Sequence, residues 1–237
     1  MLEAEFVREI RSAWQVVDRL GLSRSVGRFS SLPVDEDHRN VTLDPNSTLL
    51  DIYRSGLTRS NYNFLLWDMA YFQFAWTSDA EWRLAFWPNP SVSGVARSHL
   101  ELAALEDSQE RGLLSDEEVT LYLDTFPQYN AIPPFRFEYS RSQYVEHLHP
   151  AAHFHIGRHF DHRWPSSVCL GPKAFTMLIL RLYYGDRWQI HSALTGAEVP
   201  DCLDRAFSTV MDATAFSHDF SPAERRQFHF GRAIVAG

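Results

Sequence analysis

Apolar residues recur along this chain at two periods, and the period decides which element each stretch predicts. Leu2, Phe6, Ile10, Trp14, Val17 and Leu20 fall at helical spacing and stop at Gly21, a residue suited to the left-handed conformation beyond a helix end, so an amphipathic helix is expected first. Residues 22–46 are polar and proline-bearing, with an acidic patch at Asp35 to Asp37. They read as a loop carrying a short strand near Arg28 to Ser31. A short helix from Ser47 to Arg54, closed by Gly56, follows. Met69 to Thr77 and Glu81 to Trp87 are rich in aromatics, and in the second segment Trp82, Leu84 and Phe86 alternate with Glu81 and Arg83. Joined at Ser78-Asp79, the two predict an antiparallel hairpin, which Pro88 and Pro90 end by removing backbone donors.

Two helices are expected next. The second starts at a capping box, Ser115 with Glu118, flanked by Leu114 and Val119 as a hydrophobic staple, and runs through Leu121 and Leu123 towards Pro127. Phe135, Phe137 and Tyr139 then alternate with Arg136 and Glu138 as a strand, and a second strand is read in HFHIG at 153–157. Pro172 suits a first helical position, and Phe175, Leu178, Ile179 and Leu182 form a buried stripe that ends at Gly185. Another amphipathic helix spans Asp201 through Leu203, Phe207 and Val210 to Thr214. Ser221, Pro222 and Glu224 repeat the cap pattern, and Phe228, Phe230 and Arg232 suit a last strand. No repeat or Gly/Ser linker divides the chain. The pattern predicts one α+β domain over residues 1–237, an antiparallel sheet with helices mainly on one face.

Composition narrows the function. With 45% apolar and 14% aromatic residues in 237, the chain can fill a core. The aromatics at Tyr71, Phe72, Phe74, Trp76, Trp82 and Trp87 read as sheet packing before base stacking. A formal charge of -8 argues against coating nucleic acid by bulk electrostatics and leaves only a local basic groove. Of 22 basic residues only Lys173 is lysine, a bias that accords with a GC-rich genome. Cys169 and Cys202 make no CxxC motif. The longest apolar stretch, Ala174 to Tyr184, is interrupted by Arg181 and is too short to span a membrane, and the first residues lack a basic-then-apolar leader. A soluble, cytoplasmic protein is expected.

One segment departs from background. The run HLHPAAHFHIGRHFDH holds six of the eleven histidines between His147 and His162, where even spacing would put roughly 0.7. Imidazole titrates near neutral pH and is a common ligand of transition metals. In HFHIG, alternation sets His153 and His155 on one face and Phe154 and Ile156 on the other, with the imidazoles about 7 Å apart along the strand. If Gln143 to His149 is a strand that folds back at Pro150-Ala151, Glu146 lies across from His155 and Tyr144 near Gly157. That register gathers Tyr144, Glu146, His153 and His155 in one cleft, whereas a slip of one residue brings His147 and His149 there. His38, His99, His191, His218 and His229 read as surface or hydrogen-bonded residues.

Three chemistries follow from this cluster. Arg141, Arg158 and Arg163 could hold a phosphate while His153 and His155 move protons, with Tyr144 and Glu146 beside them, as in a nuclease-like hydrolase of phosphoester bonds. The same two histidines could instead bind a divalent metal (zinc, manganese or iron) with Glu146 or Asp161 as an oxygen ligand, the cofactor of a metal-dependent hydrolase. The third reading is a non-catalytic partner protein, suggested by the acidic balance and the aromatics. Candidate partners are thus nucleic acid or nucleotide, or another protein, and no membrane. HxHxDH, HxHxH and HExxH are all absent.

Residues 149–188, with Pro150, His153, His155, Gly157, Arg163, Pro165, Pro172, Phe175, Tyr183 and Trp188 carrying the match, resemble a bacterial family known only as a domain of unknown function, 2290-like. The resemblance implies a soluble bacterial protein and supplies no activity.

Overall fold

The computed structural model describes residues 1–92, 104–125, 132–157, 162–195, 202–214 and 221. The first helix, α1 (Glu3–Arg19), buries Phe6, Ile10, Ala13, Val16 and Val17 on one stripe. Gly21 follows at φ 64°, the left-handed conformation that ends the helix at little steric cost.

Seven strands, β1 (Ser23–Val26), β2 (Phe64–Leu66), β3 (Tyr71–Ser78), β4 (Glu81–Trp87), β5 (Phe135–Ser140), β6 (Ala152–Ile156) and β7 (Trp164–Pro165), form one antiparallel sheet in chain order. The expected hairpin is β3–β4, which pairs Tyr71 with Trp87 and Trp76 with Trp82. Alternation sends Phe72, Phe74, Leu84, Phe86 and Phe137 to one face, where all are fully buried. Helix α1 and the Pro172–Tyr183 helix, with Phe175, Met177, Ile179 and Leu180, close this core. The Trp82 indole donates to the Leu170 carbonyl at 2.9 Å, so its buried N–H is satisfied. The chain is therefore α+β, with its larger helical layer on one side of the sheet.

The opposite face is covered at the β2–β4 end by two shorter helices, α2 (Glu36–Leu43) and α3 (Leu49–Thr58). Here the structure corrects the loop expected over 22–46. The strand lies at Ser23–Val26, and the acidic patch is a helix start in which the Asp35 carboxylate accepts from the His38 backbone N–H at 3.0 Å. Helix α3 begins at a capping box formed by Thr48 and Asp51. Gly56 does not close α3; it lies within it, where any Cβ would collide with the Tyr71 hydroxyl. That hydroxyl donates to the Tyr53 carbonyl at 3.1 Å and its ring stacks on Tyr53, so it cannot withdraw cheaply. Gly56→Ala is expected to cost about 2 kcal/mol and Thr48→Ala about 1 kcal/mol, read from denaturant midpoints.

The capping box at Ser115 and Glu118 forms as expected and opens the Asp116–Thr125 helix, and residues 104–110 are α-helical ahead of it, where the first of the two helices was expected. Gly185 marks a junction: after a one-residue break at Tyr184, a further helix runs over Gly185–Thr195. The Leu203–Ala213 helix packs against the Pro172–Tyr183 helix as its apolar stripe requires. Of the expected last strand, Phe228, Phe230 and Arg232 lie outside the described residues, as do Pro222 and Glu224. Among the described residues no helix is long and apolar enough to cross a membrane.

Candidate metal centre

The site grows out of the β5–β6 pairing. Glu138 stands opposite His153 and Arg136 opposite His155, while Phe137 faces Phe154. The phenylalanines turn to the packed face, with rings 5.2 Å apart, so the four polar residues must share the other. Next to them on β4, Arg83 pairs with Glu138 and Ala85 with Arg136, and on β7 Pro165 pairs with His153.

Hydrogen bonding fixes one tautomer. The Nδ1 of His153 lies 2.8 Å from the Pro150 carbonyl, which can only accept, so Nδ1 carries the proton and Nε2 presents a lone pair. That Nε2 lies 3.0 Å from the Nε2 of His155, and each is 3.9 Å from Oε2 of Glu138. Among the described residues these three are the group whose ligand atoms gather closely enough to hold a metal ion. A triangle with sides 3.0, 3.9 and 3.9 Å has a centre about 2.1 Å from each corner, the bond length that zinc makes to imidazole nitrogen and carboxylate oxygen. His153 and His155 are 1% and 3% exposed, while the side chain of Glu138 keeps 22%.

Electrostatics keep the donors in their ligating forms. Burial pushes both imidazoles down, His153 to about 4 and His155 to about 3, with the nearby charges of Arg136 (on His155) and Arg163 adding to it and Glu138 opposing. Burial alone would raise the Glu138 carboxyl, but Arg136, the two imidazoles and Arg83 outweigh it and hold it below its usual range. Neutral imidazoles and an ionised carboxylate are therefore the resting state at neutral pH. The same shifts carry a stability consequence. As pH falls below 6.5 the unfolded chain takes up protons that the folded imidazoles refuse until about 4 and 3, so the metal-free protein loses stability on acidification. The loss should deepen steadily from pH 6.5 towards pH 4. A His153→Gln/His155→Gln double variant should show a clearly shallower decline in urea midpoint over the same range.

Several expected residues sit elsewhere. Segment 141–150 is not the partner strand of β6; it is a 3-10 turn, Arg141–Gln143, and a tight loop bridged between Val145 and His149. Proline at Pro150 and left-handed backbone at His147, φ 64°, suit a loop and not a paired strand. Glu146 is therefore exposed in that loop, 4.0 Å from the ring of His147, and Tyr144 ends the 3-10 turn. Arg141 is exposed, its backbone N–H donating to the Ala80 carbonyl at the β3–β4 turn. From the loop, His149 meets the site, its ring 5.0 Å from that of His153. Arg163 is near enough for its charge to lower His149, His153 and His155. Arg158 and Asp161 lie outside the described residues. The residue that sequence reasoning missed is Glu138, although its alternation with Phe137 and Tyr139 had already placed it on the polar face of a strand.

The fold and this cluster define an α+β protein whose antiparallel sheet carries two histidines and one carboxylate at metal-ligand spacing. The chain belongs to a family of uncharacterized conserved proteins, DUF2290, whose model matches residues 25–232. No curated protein and no solved structure matches it.

Proposed function

We propose that this protein is a metal-dependent hydrolase that holds one divalent first-row ion between His153, His155 and Glu138. The observation behind this reading is the triangle of donor atoms, whose centre lies at bonding distance from all three. A set of two nitrogens and one oxygen without thiolate suits zinc, manganese or iron. Three protein ligands leave a position for water, which a bound ion makes acidic enough to attack an electrophile near neutral pH. His153 supports this role through the Pro150 carbonyl, which orients the ring and aims its lone pair inward.

The alternative, metal-free proton transfer by the same pair in a phosphodiester-cleaving enzyme, needs one imidazole protonated at working pH. Both are pushed well below that range, and each turns its Nε2 on the other in place of a substrate atom. The metal reading is accordingly preferred. It is tested with untagged protein stripped by chelator, reloaded with zinc, manganese or iron(II), and assayed on carboxylic-ester and phosphoester model substrates. Turnover should depend on the ion and vanish in Glu138→Gln. Turnover that survives chelation, or that requires iron(II) and dioxygen together, would contradict it.

A further inference from the structure

Antiparallel pairing of β6 with β7 sets His153 against Pro165 and Phe154 against Trp164; Arg163 directly precedes β7, on the side where the same register would continue to His155, and is near enough for its charge to lower both imidazoles. On the other side of His155 the partner is Arg136. Residues 163 and 165 alternate onto the same face as His153 and His155. The row through His153 reads Arg83, Glu138, His153, Pro165, and the row above it pairs Arg136 with His155, which the same register would extend to Arg163.

The two arginines flanking His155 are not equivalent. Arg136 lies 3.8 Å from the Glu138 carboxylate and shares its charge. Arg163 is half-buried, and its Nε is sealed from water with no hydrogen-bond partner among the described residues. Nδ1 of His155 is a second sealed polar atom without a partner there. Among the described residues the guanidinium groups of Arg83, Arg136 and Arg163 gather around the Glu138 carboxylate and the two imidazoles in a chain whose formal charge is -8, and a bound divalent ion would add positive charge. A sealed N–H without an acceptor is costly, and the flat fork of a half-buried guanidinium suits a planar or tetrahedral oxyanion that would reach its outer nitrogens.

We propose that the substrate carries an oxyanion, phosphate or carboxylate, which Arg163 seats beside the metal centre. The inference rests on the metal reading for its second anchor: one oxygen would meet the guanidinium while the reacting group faces the ion. Arg163 is on this account a binding residue with no part in proton transfer.

The test titrates inorganic phosphate, and separately oxalate, into zinc-loaded wild type, Arg163→Gln and Arg163→Lys by calorimetry, with zinc affinity measured for each protein beforehand. Saturable binding of at least one anion is expected in wild type. It should weaken by about tenfold or more in Arg163→Gln and recover in part in Arg163→Lys, with zinc affinity within about threefold throughout. Preference for phosphate or for oxalate assigns the oxyanion class. Equal anion affinity in wild type and Arg163→Gln, or no saturable binding of either anion, would overturn the proposal while leaving the metal reading intact. If zinc does not bind, the metal reading fails. The same titrations on metal-free protein then decide the oxyanion site alone, Arg163-dependent binding sustaining it and its absence ending it.

Discussion

A chain with alanine at His155 is expected to bind zinc or manganese on the order of 100-fold more weakly than wild type, because one of three donors is lost. Glu138→Gln should lower affinity by roughly tenfold or more while keeping the shape of the side chain and the packing of β5 against β6. The comparison separates ligation from folding. His155 is buried with its Nε2 3.0 Å from that of His153, so His155→Ala also leaves a void and strips His153 of a hydrogen-bond partner. A urea midpoint close to that of metal-free wild type in Glu138→Gln, alongside weakened binding in both variants by calorimetry, is the expected set of results. Affinity unchanged in both variants would place the ion elsewhere.

The second large effect lies in the core. Phe72 is fully buried, with ring centroids 5.0 Å from Phe86, 5.9 Å from Phe74, 6.0 Å from Phe64 and 6.3 Å from Phe175. Truncation leaves a void that four fixed aromatic neighbours, on three strands and a helix, cannot collapse to fill. Phe72→Ala should therefore cost about 4 kcal/mol, or roughly 10 °C in Tm for a chain of this size. Leu148→Ala, at a side chain 77% exposed in the 141–150 loop, should change stability by less than about 0.5 kcal/mol. Chemical denaturation of the two variants beside wild type checks both figures.

The elements that could be read from sequence are those whose periodicity is long enough to show. Helix α1 carries a stripe over 17 residues, and β3 and β4 alternate over eight and seven. Strands β2 and β7, with three and two residues, are too short to display a period, and pairing alone defines them. Helix α2 buries only His38, so its amphipathic signal is weak, and its cap at Asp35 looks the same in sequence as an acidic loop. Gly185 predicts a stop because glycine favours helix ends, yet it begins the next helix.

The candidate site divides along the same line. His153 and His155 were legible as a pair because a strand's two-residue repeat is local. Their carboxylate was not, because sheet pairing is a tertiary choice: the nearest polar segment, 143–149, offers itself as the partner strand, whereas the actual partner lies beyond a loop of eleven residues, 141–151. The alternation of Arg136 and Glu138 with Phe135 and Phe137 held the missing information. Pro150 was the signal against the local hairpin.

The most direct measurement is the metal content of untagged protein, reconstituted with a divalent ion and dialysed, determined by elemental analysis. About one ion per chain is expected for wild type, falling to trace levels in the His153→Gln/His155→Gln double variant. Wild-type protein that retains no more metal than the double variant would show that the two imidazoles and Glu138 are a buried hydrogen-bonded cluster and not a metal centre.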